Sequence, residues 1–251
     1  MEPITINNFV KTDFSKEPKE PTSSSKIDYP INLNSFEFEQ VINDLVRDFD
    51  FDEVVETGTF NGLGSTTVFA KTGKYVFTIE CNRNNYEMAA NNLQSYDNVC
   101  VIHGLSLHRE ILIKHLIHQD FDIETKYDSD YPKSFYMKEI NQQVVVENAL
   151  DVFANNDRRQ LVFLDSAGGV GYAEFLEFMN YEGKDNKLLV LDDINHIKHK
   201  RSVEYLEKIG YKVYKSKENR FAWCDLSKGK LKKENTNGKE NLLSEQPAES
   251  R

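Results

Sequence analysis

Apolar residues recur along the chain with two alternating periods. At 35–49, Phe36, Phe38, Val41, Ile42, Leu45 and Val46 fall at near-helical spacing, which predicts an amphipathic helix. FDEVVE (51–56) then reads as a short strand running into a glycine turn, and 65–71 as a helix with Ser65 at its N-cap. KYVFTIE (74–80) is a second strand, 84–95 a helix, and NVCVIH (98–103) a third strand. QLVFLD (160–165) and KLLVLD (187–192) supply two more strands. They are followed by helices at 171–180 and 198–209, the second ended by Gly210. Runs at 212–215 and 221–226 close the pattern as a pair of strands.

Strands separated by helices are βαβ units, which imply a mostly parallel sheet with right-handed crossovers. LVFL and LLVL are almost continuously apolar, as in strands covered on both faces. The last two strands need only the turn 216–219 and can form an antiparallel hairpin. The expected fold class is α/β, doubly wound, with that C-terminal hairpin. The stretch 108–159 is too long for one ordinary crossover. It predicts a helical insertion, with helices at 109–119 and 134–153 around an acidic, aromatic loop at 120–132. Such an insertion overhangs the carboxyl ends of the strands, where open α/β sheets bind ligands, and is expected to act as a lid.

Composition trims the domain at both ends. Residues 1–27 are rich in Pro, Lys, Glu, Ser and Thr, and 228–251 in Lys, Glu, Asn, Gly and Ser. They read as a flexible leader and a disordered tail around a domain at 28–227. The formal net charge of −10 speaks against a nucleic-acid backbone as partner, which needs clustered Lys and Arg. Cys81, Cys100 and Cys224 are too widely spaced for a zinc knuckle or a disulfide framework and suit a reducing compartment. Neither a signal peptide nor a membrane-length apolar run is present, so no membrane partner and a cytoplasmic location are expected.

The strongest chemical signal is VVETGTFNGLGST at 54–66. Glycines let a backbone turn sharply and approach a ligand, N–H groups at a helix start favour electron-rich atoms, and a strand-end carboxylate can bind a cationic amine. Gly58, Gly62 and Gly64 do not keep the G-x-G-x-x-G spacing of dinucleotide folds, and the same residues suit a simple tight βα turn. Glu80 ends the next strand, roughly 20 residues on, where an acid can accept a ribose diol; a solvated strand-end acid is the plainer alternative. Asp165, Asp192 and Asp193 end neighbouring strands, and three such oxygen ligands plus water suit Mg²⁺. Alternatively, Asp165 borders a cofactor or caps a turn while Asp192 or Asp193 caps the next helix.

Taken in order, VVETGTFNGLGST, VFTIE ending at Glu80, CVIHG with Ser106 behind it, LVFLD at Asp165 and LLVLDD at Asp193 resemble class I S-adenosylmethionine-dependent methyltransferases over about 51–226. The small-molecule O-methyltransferase branch, with its E-x-G-x-x-x-G-x-S-T motif, is the nearest likeness. The resemblance implies a Rossmann-like domain and S-adenosylmethionine as cofactor. Its methionine part would be held by Glu56, Thr57, Gly58, Thr59, Gly62 and Ser65, its ribose by Glu80, and its adenine bordered by Gly104 and Ser106, with Asp165 alongside. In metal-dependent members, acids at the positions of Asp165, Asp192 and Asp193 bind a divalent cation that orients the acceptor hydroxyl. The sequence departs from those enzymes where they carry a lysine shortly after the strand-four acid; here Ser166-Ala167-Gly168-Gly169 stands. His196 and His199 are the nearest substitutes. His196 is the expected general base, working with Asp165, though both histidines can equally be surface residues.

Ser166-Ala167-Gly168-Gly169-Val170-Gly171 leaves room for a bulky acceptor or forms a second ligand-binding turn. Tyr127, Tyr131, Phe135 and Tyr136 either line a pocket or anchor the insertion. Asp128-Ser129-Asp130 matches the D-x-D of glycosyltransferases by composition alone. The expected activity is methyl transfer to a hydroxyl of a small-molecule acceptor. The rival expectations are a non-catalytic module that binds the cofactor or a nucleoside, and another Rossmann-type enzyme such as a nucleotide-sugar transferase.

Overall fold

Helix α1 (Ser35–Asp48) lays Phe38, Ile42 and Leu45 into the main apolar cluster. The Phe38 ring meets Phe69, Phe163 and Phe221 at centroid distances of 5.8, 5.5 and 5.2 Å, so one helix covers several strands of the sheet. The structure, a computed structural model, describes residues 35–118 and 133–229. After α1 come β1 (Glu53–Thr57), α2 (Ser65–Lys71), β2 (Tyr75–Glu80), α3 (Arg83–Asn92), β3 (Val99–His103), α4 (Arg109–His118), α5 (Lys133–Ile140) and α6 (Ala149–Ala154). Then follow β4 (Gln160–Leu164), α7 (Gly168–Phe178), β5 (Lys187–Asp192), α8 (Lys200–Lys208), β6 (Tyr214–Lys215) and β7 (Phe221–Asp225).

The seven strands form one sheet in the order β3-β2-β1-β4-β5-β7-β6. The first five are parallel, and β7 runs antiparallel to both β5 and β6. This is the doubly wound, Rossmann-like α/β fold with a closing antiparallel hairpin, as the alternation of periods implied. On one face, Val54, Leu161, Phe163, Leu188 and Val190 join the α1 cluster; on the other, Val55, Val162, Leu164, Leu189 and Leu191 are buried too. Both faces are therefore covered, which is why the central strands read as unbroken apolar runs.

Three expectations need correction. The helix expected at 134–153 is two helices, α5 and α6, separated by 141–148. There the β-branched run Val144-Val145-Val146 is a poor helix former and instead meets the backbone beyond β3: Val145 N–H donates to His103 O at 3.0 Å, and Leu105 N–H to Val146 O at 2.9 Å. Gly64, not Ser65, is the N-cap of α2, because the Ser65 hydroxyl is drawn inward to Glu56. Helix α7 begins at Gly168 and α8 at Lys200, leaving 193–199 as turns. The loop expected at 120–132, with Tyr127, Tyr131 and the D-x-D, lies outside the described residues. At the other end, Lys228 is placed against the Phe49 ring, 4.9 Å from its centroid. Among the described residues, no helix is long and apolar enough to cross a membrane.

Candidate functional site

Strand order reverses at β1 and β4, and a crevice at the carboxyl ends of such strands is where open sheets bind ligands. The glycine loop rises there. Gly58 has φ +80°, and a β-carbon on it would lie 2.6 Å from Asp165 O, so only glycine lets the loop press against the end of β4. The Gly58 and Thr59 N–H groups both donate to Ile79 O, at 3.0 and 3.3 Å. Phe60 also has a left-handed φ of 54°, which costs free energy in a non-glycine residue. Its N–H donates to Glu80 Oε2 at 2.8 Å, and the residue is 46% exposed.

The loop is fastened from behind by buried acids. Glu56 is fully buried and accepts from Ser65 Oγ (2.5 Å), Thr66 Oγ1 (2.6 Å) and Thr78 Oγ1 (2.7 Å). Burial pushes its pKa up and the three hydroxyls pull it back. The carboxylate therefore ties β1, β2 and α2 together, which corrects the expectation that it meets a cationic amine. Thr57, Thr59 and Ser65 are likewise buried. Thr59 and Thr78 share a 2.5 Å hydroxyl contact. What the loop offers a ligand is its backbone around Gly58 to Gly64.

Glu80 closes the far side. Its carboxylate accepts from Phe60 N–H and, at 2.7 Å, from Asn82 N–H. Burial raises its pKa to about 7 against the pull of those two donors and of the Cys81 N–H. Beside it, in register across β2 and β3, stands His103, with Tyr86 stacked on the imidazole at 5.0 Å. Sequence reasoning passed over both. A ring-bearing residue at a strand end next to an expected ribose acid was the available signal. Gly104 and Ser106, expected at the adenine, are buried. Gly104 lies under Val146, and Ser106 donates its hydroxyl to Glu174. They are framework, a second correction.

The three strand-end acids do converge: carboxylate oxygens of Asp165, Asp192 and Asp193 lie within 4.8 Å of one another. Between them stands the ammonium of Lys198, whose side chain is only 4% exposed. It contacts Asp165 Oδ1 directly and lies 3.2 Å from Asp193 Oδ2 and 3.6 Å from Asp192 Oδ2. Arg220 grips Asp192 through Nε and Nη2 at 3.0 Å each and reaches Asp193 Oδ1 at 3.0 Å. Burial acts against charge at Asp192, yet Lys198 and Arg220 hold its pKa below the ordinary value. Burial, with Asp192 adding to it, pushes Asp165 well above the usual carboxylate range despite Lys198. This donor set does not fit the expected Mg²⁺, because a lysine nitrogen holds the position that all three carboxylates share.

The glycine run after β4 makes this arrangement possible. A β-carbon on Gly171 would fall 2.9 Å from Lys198 Cγ and 2.8 Å from Ser166 O. Gly168, at φ +50°, seats the Tyr136 hydroxyl of α5. The run is filled by protein, with no room left for a bulky acceptor at these two positions. His196 is half-buried in the turn after β5. Its N–H donates to Asp193 O at 3.0 Å, and its Nδ1 accepts from Lys198 N–H at 3.4 Å. His199 is fully buried. Its Nε2–H donates to Leu164 O at 3.0 Å, leaving Nδ1 to accept from Ser202 Oγ at 3.1 Å. Burial lowers its pKa to about 3, so it packs as a neutral imidazole and is no candidate base.

No family profile matches the chain, and no curated protein matches its sequence. Solved structures with a similar fold include a candidate caffeoyl-CoA O-methyltransferase from Staphylococcus aureus (15% identity, 74% of this chain and 81% of that one, TM-score 0.45). A candidate O-methyltransferase from Klebsiella pneumoniae is also similar (12%, 82% of each chain, TM-score 0.43). So is a precorrin-6y C5,15-methyltransferase from Geobacter metallireducens (15%, 82% and 92%, TM-score 0.39). At such identities and scores, the activities in those names stay with those proteins.

Proposed function

We propose that the chain is an S-adenosylmethionine-dependent methyltransferase acting on a hydroxyl of a small-molecule acceptor. The observation that carries the reading is the pairing of the Gly58–Gly64 loop after β1 with Glu80 at the end of the neighbouring β2, locked by the Phe60 N–H. The donor set suits an adenosine ribose. The Glu80 oxygens accept backbone N–H groups from Phe60 and Asn82, with Cys81 N–H as a third donor, and a carboxylate's roughly four acceptor sites leave capacity for a diol. When bound, the cofactor supplies an electrophilic methyl group on a sulfonium.

The chain's own residues then align and deprotonate. The loop backbone and Glu80 fix the donor's position, and alignment by itself supplies much of the rate in a displacement at carbon. Asp165, 18% exposed at the end of β4 beside the Lys198 ammonium, is the first candidate base. His196 stands in the next loop as the second candidate base. Calorimetry with S-adenosylhomocysteine, S-adenosylmethionine and NAD tests the reading. The expected result is binding of the first two and none of NAD. NAD binding with neither S-adenosyl compound bound overturns it.

A further inference from the structure

Among the described residues two lysines are buried, Lys187 and Lys198, and of these Lys198 is the one placed among carboxylates. It lies in the polar run Asn195-His196-Ile197-Lys198-His199-Lys200, where lysines are ordinarily solvated, yet it is 3% exposed. A lone ammonium is costly to bury, so its position must be set by partners, and three are present: Asp165 from the end of β4 and Asp192 and Asp193 from the end of β5. The pocket for its stem is also built, since Gly171 on α7 omits the side chain that would strike Lys198 Cγ. Arg220, at the start of β7, clamps Asp192 and Asp193 from the other side.

We infer that Lys198 is the resident cation of the Asp165–Asp192–Asp193 site, standing where a divalent ion would otherwise bridge the three acids, so that the site functions without a metal. Like charges at close range must be compensated by a cation or a proton. A fixed ammonium does this without an exchangeable ion, and Arg220 supplies a second positive charge. Removing the ammonium alone leaves three converging carboxylates against one guanidinium, the hard-oxygen set that a small divalent cation prefers. The function clause rests on the proposed methyl transfer; the placement of the cation does not.

Mn²⁺ binding read by electron paramagnetic resonance tests it without any turnover. The wild-type chain is expected to show no stoichiometric Mn²⁺ at micromolar concentrations. Lys198→Ala should gain one Mn²⁺ with affinity at least about tenfold above wild type, the scale of one charge removed from a partly buried site. Adding Asp193→Asn to that variant should abolish the gain. A wild-type chain that binds one Mn²⁺ tightly, and loses it in Asp165→Asn, overturns the inference, as does a folded Lys198→Ala chain with no gain. Lys198→Met, which keeps the apolar stem volume, serves if the alanine variant does not fold. S-adenosylhomocysteine calorimetry on the same samples separates failure of this inference from failure of the methyltransferase reading.

Discussion

The hydroxyl of Thr57, at the end of β1, donates to Oε2 of Glu174 on α7 at 2.7 Å. The same hydroxyl oxygen accepts the Asp165 N–H at 3.1 Å, and Glu174 Oε1 accepts from Ser166 Oγ at 2.6 Å. One fully buried carboxylate thus joins the two strands that flank the switch point to the helix beneath them. Glu174→Ala leaves these hydroxyls without their acceptor. It is expected to destabilise the fold by about 2–4 kcal/mol, read as a lower urea midpoint at unchanged slope.

Glu80 gives a pH dependence of defined sign. Burial raises its pKa from 4.5 to about 7, and only the carboxylate has its full capacity to accept a diol. Affinity for S-adenosylhomocysteine should therefore fall as the pH is lowered through about 7. Glu80→Gln should flatten that profile, and Glu80→Ala should weaken binding by about 1–3 kcal/mol. The stability contribution runs the other way: a carboxyl with a folded pKa above its unfolded value favours the folded state as pH falls from about 7 towards 4.5. Calorimetry and denaturation across the same buffers check both signs.

Tyr136 and Gly168 form the seat of the insertion on the core. Gly168→Ala places a methyl group against the Tyr136 hydroxyl at a left-handed φ. The expected loss is about 1–3 kcal/mol, read by thermal unfolding. Tyr136→Phe in the same chain should recover the part due to the hydroxyl clash and leave the backbone part. No recovery would show that the backbone conformation carries the whole effect.

Under the proposed reaction, His196→Ala should lower turnover by about 10²-fold or more if it is the base, with S-adenosylhomocysteine affinity nearly unchanged. Unchanged turnover assigns the proton to Asp165 alone. Asp165→Asn is the companion variant, and its melting temperature is measured alongside because it also disturbs Lys198.

The chain at 1–27 and 230–251 is poor in apolar residues, which offers little burial to offset ordering entropy. Removing both segments should leave the melting temperature unchanged. A drop of many degrees would show that one of them packs on the domain. The cut follows Gly229 because Lys228 pairs with Asp225 at 3.4 Å and lies over Phe49.

The sheet could be read along the chain because the period of apolar residues is a local property. LVFL and LLVL must be strands with two covered faces, and that placed Asp165, Asp192 and Asp193 at one edge before any contact was known. The glycine loop and Glu80 were legible for the same reason, being strand ends. What no local pattern carries is which way a polar side chain turns and what neutralises it. Glu56 reads as a ligand-facing acid until β2 and α2 bring Thr78, Ser65 and Thr66 onto it. Val144-Val145-Val146 reads as helix until the backbone beyond β3 offers it hydrogen bonds. Lys198 reads as a solvated lysine until Gly171, from another helix, opens the space for its stem and three acids from two strands surround its charge. Burying a charge is favourable only when partners distant in sequence assemble around it, so that decision belongs to the tertiary structure.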